Sequence, residues 1–238
     1  MTNQIKAINS KKTLIISDIH LKNDGELFAE FTQNHTKNVD EIYILGDLFN
    51  LYLGDDLIKP HYQKIVNLLK TLSKTTKIFI MTGNKDFLLG DEFAKKSGAK
   101  LINEPYILDN FVLIHGDSLV TDDKKYQWFK KVIQSKFVKF ILLKLSKKLR
   151  AKIADKIQIA SQKSKKNKSA AIMDVNQKSV LNFMQKYPNK HLIHGHTHKQ
   201  NTHIHNSFKR YVLGDWHKNS GNFLQIADGE ITFIEFCL

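Results

Sequence analysis

The chain has 238 residues and a mass of 27.5 kDa, enough to bury a substantial core as one large domain or one domain with an insert. No apolar run approaches the roughly 18 residues that span a bilayer, which excludes a bundle of membrane helices, and the single Cys237 excludes an internal disulfide. The net charge of +14 is concentrated, because residues 124–168 hold fifteen lysines and one arginine against Asp155 alone, a net +15 that leaves the remainder near −1. A near-neutral body with one basic segment suits an anionic partner: phosphates, nucleic acid or an acidic membrane surface. The stretch MTNQIKAINSKK carries no apolar core, so no secretory signal is expected there. One cysteine is compatible with a reducing compartment.

In chain order, residues 13–17 (TLIIS) read as a short apolar strand that runs into Asp18-Ile19-His20. Residues 24–36 have helical spacing, with Leu27, Phe28 and Phe31 on one side. A second strand, EIYIL, ends at Gly46-Asp47, and an acidic turn, Gly54-Asp55-Asp56, follows. Ile65, Leu68, Leu69 and Leu72 predict a helix over residues 61–72. A third strand, KIFIMT, ends at Gly83-Asn84-Lys85-Asp86; a short helix over 90–97 and a fourth strand, FVLI, lead to His115-Gly116-Asp117. The basic segment places Phe129, Val132, Ile133, Phe137, Phe140, Ile141 and Leu145 at helical spacing among lysines, and another helix is expected from about 170 to 186. Then comes HLIHGHTH (191–198), where a strand delivers His194, His196 and His198 at alternate positions, and the strands RYVLG, FLQIA and ITFIEF close the chain. With no repeat and no Pro- or Gly-rich linker, the alternation predicts one layered α/β domain over residues 1–238 with a helical insert near 124–168.

Asp18, His20, Asp47, Asn84, His115, His196 and His198 all follow the ends of apolar strands, where open α/β sheets gather their ligands. Read by strand period alone, Asp18 and His20 share a face, and His196 and His198 aim at one point. Imidazole, carboxylate and amide without thiolate suit Mn²⁺, Fe²⁺, Co²⁺ or Zn²⁺ and argue against a structural zinc. Seven ligands exceed what one four-coordinate ion takes, so two ions are expected, with Asp47 the natural shared carboxylate. Two ions about 3.5–4 Å apart suit in-line attack on phosphorus.

Asp-x-His, Gly-Asp, Gly-Asn-x-Asp, His-Gly-Asp and Gly-His-Thr-His, in that order, resemble the calcineurin-like metallophosphoesterase superfamily. The segments SDIHL, YILGDLFNLYLGDD, GNKDFLLG, HGDSLVTDD, AIMDVNQ and IHGHTH resemble more narrowly its branch acting on UDP-2,3-diacylglucosamine in lipid A synthesis. That resemblance implies a four-layer αββα sandwich of two mixed sheets with a helical cap, and two Mn²⁺ ions. It also implies cleavage of a nucleotide-sugar pyrophosphate to UMP and a diacylglucosamine 1-phosphate, at the cytoplasmic face of the bacterial inner membrane as a peripheral protein. Carried over by position, it makes Asp47, Asn84 and Lys85 catalytic. It puts substrate contacts at Asn84, Lys85, Asp123, Ser161, Lys165, Lys168 and His196.

Two positions depart from the pattern: Lys85 stands where Arg is usual, and Asp215 in GDWH where a small residue is expected. Lysine keeps the charge and loses the bidentate fork. The apolar residues of the insert fit either a helix sealing the core or a cap for acyl chains with a basic rim for an anionic membrane surface. The rivals are another dimetal phosphodiesterase or nuclease, and a metal-free scaffold or RNA-binding protein. Lysines interleaved with long apolar side chains speak against nucleic acid as the partner, and no protein partner is implied.

Overall fold

The computed structural model describes residues 11–22, 25–166, 172, 174–217 and 219–238, with the backbone alone over 161–166. Eleven strands in these residues form two mixed sheets. In the first, β1 (Thr13–Ile16), β2 (Glu41–Leu45), β3 (Lys77–Met81) and β4 (Lys100–Ile102) run parallel, while β10 (Ser220–Ala227) pairs antiparallel with β1 and β11 (Glu230–Cys237) antiparallel with β10. The second has the order β5 (Tyr106–Leu108), β6 (Phe111–Leu113), β7 (His191–His194), β9 (Lys209–Val212), β8 (Asn201–Ile204).

The two-residue period of the strands sorts their side chains into layers. Leu14, Ile16, Ile42, Ile44, Ile78 and Ile80 meet helices α1 (Glu26–Asn34), α2 (Pro60–Leu72) and α3 (Asp91–Ser97) on the outer face of the first sheet. Their neighbours Ile15, Tyr43, Leu45 and Met81 face Leu113, Ile193, Tyr211 and Leu213 between the sheets. Val112, Ile114 and Leu192 pack outward on Val180 and Met184 of α7 (Gln177–Met184). The result is the expected four-layer αββα sandwich.

The three strands absent from the sequence reading, β4, β5 and β8, are all sheet edges. An edge strand is short and half-exposed, so it lacks the apolar run by which an inner strand is recognised. The last helix starts at Gln177 rather than near 170, because the Asn176 side chain accepts from Ser179 N and caps it there.

Residues 124–166 form α4 (Lys124–Ile133), α5 (Lys136–Lys144) and α6 (Lys147–Lys166). The continuous apolar pattern breaks where Ser135 caps α5 by accepting from Val138 N. The apolar residues of these helices are largely open to solvent: Trp128 is 68% exposed, Phe137 73% and Phe140 60%. They therefore do not seal the body's core.

Candidate metal centre

Each donor leaves its strand through a turn, and the turn aims it. Asp18 (φ 53°), His20 (φ 51°), Asp47 (φ 53°), His196 (φ 67°) and His198 (φ 61°) all occupy the left-handed region. Aspartate and histidine tolerate that region better than most residues, and such backbone clusters at functional sites. Asp18 and His20 do converge, but through these turns rather than through the strand pleat. His196 and His198 do not aim at one point. His198 lies against His20, 5.0 Å between ring centroids, whereas His196 lies against His115 at 5.1 Å and stacks on Tyr126 at 6.1 Å.

Two clusters of donor atoms lie within ligating reach among the described residues, Asp18–His20–His198 and Asp18–Asp47–His115. Asp18 is the carboxylate they share, and Asp47 approaches the first through His20 Nδ1 at 3.7 Å. Asn84 Oδ1 sits 3.2 Å from His115 Nε2. Lys85 Nζ sits 3.3 Å from His20 Nδ1, and Lys85 N donates to Asp47 Oδ1 at 2.8 Å. Two glycines make the close approach possible: a Cβ on Gly195 would overlap the Asp18 carboxylate, and one on Gly83 that of Asp47.

The donors fit divalent cations. Asp18, Asp47, Asp86, Asp117 and His115 are all at most 2% exposed, and Asp18 Oδ1 accepts no hydrogen bond while facing His198 Nε2 at 3.3 Å. Buried carboxylates this close together need a cation to offset their desolvation and mutual repulsion. Burial, with Asp86 and Asp18 nearby, pushes Asp47 up to about 7 despite the opposing pull of His115. Burial would lower His115, but Asp47, Asp117, Asp18 and Glu104 raise it to about 9. Burial and Lys85 push His20 down to about 3, and burial and His115 do the same to His196, so both present neutral rings.

Asp86, the last residue of Gly-Asn-x-Asp, is a brace. It accepts from Leu48 N at 2.8 Å, Phe49 N at 3.4 Å and Gly83 N at 2.7 Å, locking the Asp47 and Asn84 loops together. Asp123 is 8% exposed and caps α4 by accepting from Tyr126 N at 3.1 Å. The backbone places Ser161 and Lys165 on α6, and Lys168 lies outside the described residues.

Sequence reading overlooked the supports. Asp117 accepts from Lys130 Nζ at 2.6 Å and Tyr126 Oη at 3.2 Å, tying α4 to the His115 turn. Arg150, 2% exposed, donates to Leu53 O, Leu143 O, Leu145 O and both oxygens of Asp56. The one signal for Arg150 is that it is the only arginine in a lysine-rich segment. The non-ligand motifs acquire structural reasons as well. Asp55 accepts from Gly90 N and Phe93 N at the start of α3. Asn176 Nδ2 donates to Asp122, joining AIMDVNQ to TDD.

A family model described as calcineurin-like phosphoesterase matches residues 11–200, and the chain belongs to that family. Over 92% of its length it is 41% identical to UDP-2,3-diacylglucosamine hydrolase of Shewanella loihica, covering 94% of that protein. It is 39% identical to the Haemophilus ducreyi protein of that name over 92% of this chain and 97% of that one. It is 37% identical to the one from Haemophilus influenzae over 94% of this chain and 99% of that one.

Proposed function

We propose that the protein hydrolyses the pyrophosphate of UDP-2,3-diacylglucosamine to UMP and 2,3-diacylglucosamine 1-phosphate (lipid X), a step of lipid A biosynthesis, using two Mn²⁺ ions. The observation that carries this reading is the pair of donor clusters joined at the buried Asp18, set beneath a basic cap whose apolar residues face outward. The names of relatives 37–41% identical over nearly the whole chain support the choice of substrate.

Asp18, His20 and His198 would hold one ion, and Asp18, Asp47 and His115 the other, with Asn84 and His196 beside His115 as further donors. Bound there, divalent ions polarise phosphoryl oxygens and activate water. The chain's own residues supply the rest. His20 and His196, kept neutral by burial, offer lone pairs rather than protons. Lys85 brings a positive charge beside His20 and stabilises the charge that develops on the phosphoryl oxygens. A sugar phosphate is a good leaving group and departs without a proton, so a cation serves here better than an acid. Asn84, Asp123, Ser161, Lys165, Lys168 and His196 complete the substrate contacts in this reading. Trp128, Phe137 and Phe140 receive acyl chains, and the lysines beside them meet an anionic membrane surface at the cytoplasmic face of the inner membrane. No helix among the described residues is long and apolar enough to cross a membrane.

The test is UMP release from UDP-2,3-diacylglucosamine, beside a cyclic nucleotide, single-stranded DNA and a soluble bis-phosphodiester. Chelation should abolish release and Mn²⁺ restore it. Cleavage of the cyclic nucleotide or the DNA with no UMP formed would overturn the assignment.

A further inference from the structure

Asp215 lies on the segment that follows β9, and that segment is held on every side. Leu213 N donates to His194 O at 2.8 Å, Trp216 N to Asp18 O at 3.1 Å, and Gly214 N to Asn222 Oδ1 at 3.1 Å. Trp216, 6% exposed, donates its indole N–H to Asn222 O and packs its ring against Phe28, Phe31 and Phe236. The Asp215 side chain is thus carried on backbone bonded directly to Asp18, and one carboxylate oxygen stands 3.2 Å from His198 Nδ1.

The other nitrogen of the same ring, His198 Nε2, lies 3.3 Å from Asp18 Oδ1 and 3.2 Å from His20 Nε2. A neutral imidazole has one N–H and one lone pair, and a carboxylate can only accept. With a carboxylate at each nitrogen the metal-free ring can donate from both, and an ion takes Nε2 only once the proton there has left. With the proton at Nε2, donated to Asp18, the nitrogen facing His20 has no lone pair to offer. With the proton at Nδ1, donated to Asp215, the Nε2 lone pair points where Asp18 and His20 meet, the arrangement of a ligating histidine with an outer carboxylate. His115 follows the same rule by another device: its Nδ1 donates to Leu45 O at 2.8 Å, leaving Nε2 toward Asn84 and Asp47. His198 has no carbonyl in that position, and Asp215 takes its place.

We propose that Asp215 is a positioning residue that holds the proton of His198 on Nδ1 and so sets the metal affinity of the Asp18–His20–His198 cluster. This explains why GDWH carries an acid at this point, and it rests on the metal reading above.

The experiment compares full-length wild type, Asp215→Ala and Asp215→Asn, each loaded with Mn²⁺ and equilibrated against graded chelator, with bound metal counted. Both variants should release one ion at tenfold to a hundredfold lower chelator strength and keep the other as in wild type. The asparagine variant is the same size and keeps the loop's packing, but its neutral amide oxygen accepts the Nδ1 proton more weakly than a carboxylate does. Nitrogen-15 NMR of the Zn²⁺-loaded proteins should show a slowly exchanging His198 Nδ1 proton in wild type and a fast one in both variants. Should the alanine variant fail to fold, the asparagine variant decides the matter. A variant that retains both ions with wild-type affinity, or whose His198 Nδ1 proton exchanges as slowly as in wild type, overturns the proposal. A wild type that takes up no Mn²⁺ overturns the metal reading and this inference with it.

Discussion

Arg150 Nη1 lies 2.6 Å from Asp56 Oδ1, joining the start of α6 to the loop after β2 across 94 residues of sequence. The guanidinium also donates to Leu53 O on the body and to Leu143 O and Leu145 O on the cap, so one side chain closes the seam between them. Arg150→Met should cost on the order of 3 kcal/mol, because the buried Leu53 O and two part-buried carbonyls lose their donor. Asp56→Asn should cost under about 1 kcal/mol, since the Asp56 side chain is 47% exposed and water replaces part of the pair. Denaturant unfolding of the two variants measures the asymmetry, and equal losses would remove Arg150 from this role.

The same pair sets a pH dependence. The Arg150 hydrogen bond, against the opposing effect of burial, holds the Asp56 carboxyl below its ordinary 3.8. A carboxyl depressed on folding contributes stability above its unfolded pKa and loses it as pH falls through the folded value. The cap should therefore loosen progressively below about pH 4, and Asp56→Asn should flatten that part of the profile. Tryptophan fluorescence against pH, with Trp128 on α4 as reporter, checks this.

Asp86→Asn should weaken the brace between the Asp47 and Asn84 loops. One carboxylate oxygen becomes an NH₂ facing a backbone N–H, a donor against a donor, at a cost of roughly 1–3 kcal/mol. Thermal unfolding should show the loss, and Mn²⁺ binding should weaken with it because the Asp47 and Asn84 loops both hang on Asp86. A variant with unchanged melting and unchanged metal content would demote Asp86 to an ordinary buried acid.

Lys85 and Asp47 divide charge from ligation. Lys85→Arg should retain turnover and Lys85→Ala lose it mainly in kcat, with metal content intact. Asp47→Ala should lose metal and turnover by orders of magnitude while the fold persists. Mass spectrometry of bound metal beside steady-state kinetics separates the two cases. Full turnover in Lys85→Ala would make Lys85 dispensable.

Phe137 and Phe140 are 73% and 60% exposed, so trimming either to Ala should change stability by no more than about 0.5 kcal/mol. If acyl chains rest on them, cleavage of the diacylated substrate should fall, by about 0.8 kcal/mol for each acyl methylene left in water, while a soluble bis-phosphodiester is cleaved as before. Equal loss on both substrates would place these residues outside lipid recognition.

The inner strands and the donors at their ends were legible in the chain because both are local signals. TLII, EIYIL and KIFIM are apolar runs, and the residues that leave them, Asp18, Asp47 and Asn84, are polar ones just beyond. The concentration of lysine in α4–α6 is equally local. What the donors face is not. His196 and His198 are two residues apart, yet one joins His115 and the other His20, because left-handed backbone at both turns them away from a strand's alternation. Only the tertiary structure brings Arg150 to Asp56, sets Asp215 behind His198 and makes Asp18 common to both clusters. The physical reason is separation along the chain. A hydrophobic period is written within a few residues, whereas His196 N meets the Asp18 carboxylate across 178, a contact decided by how two whole sheets pack.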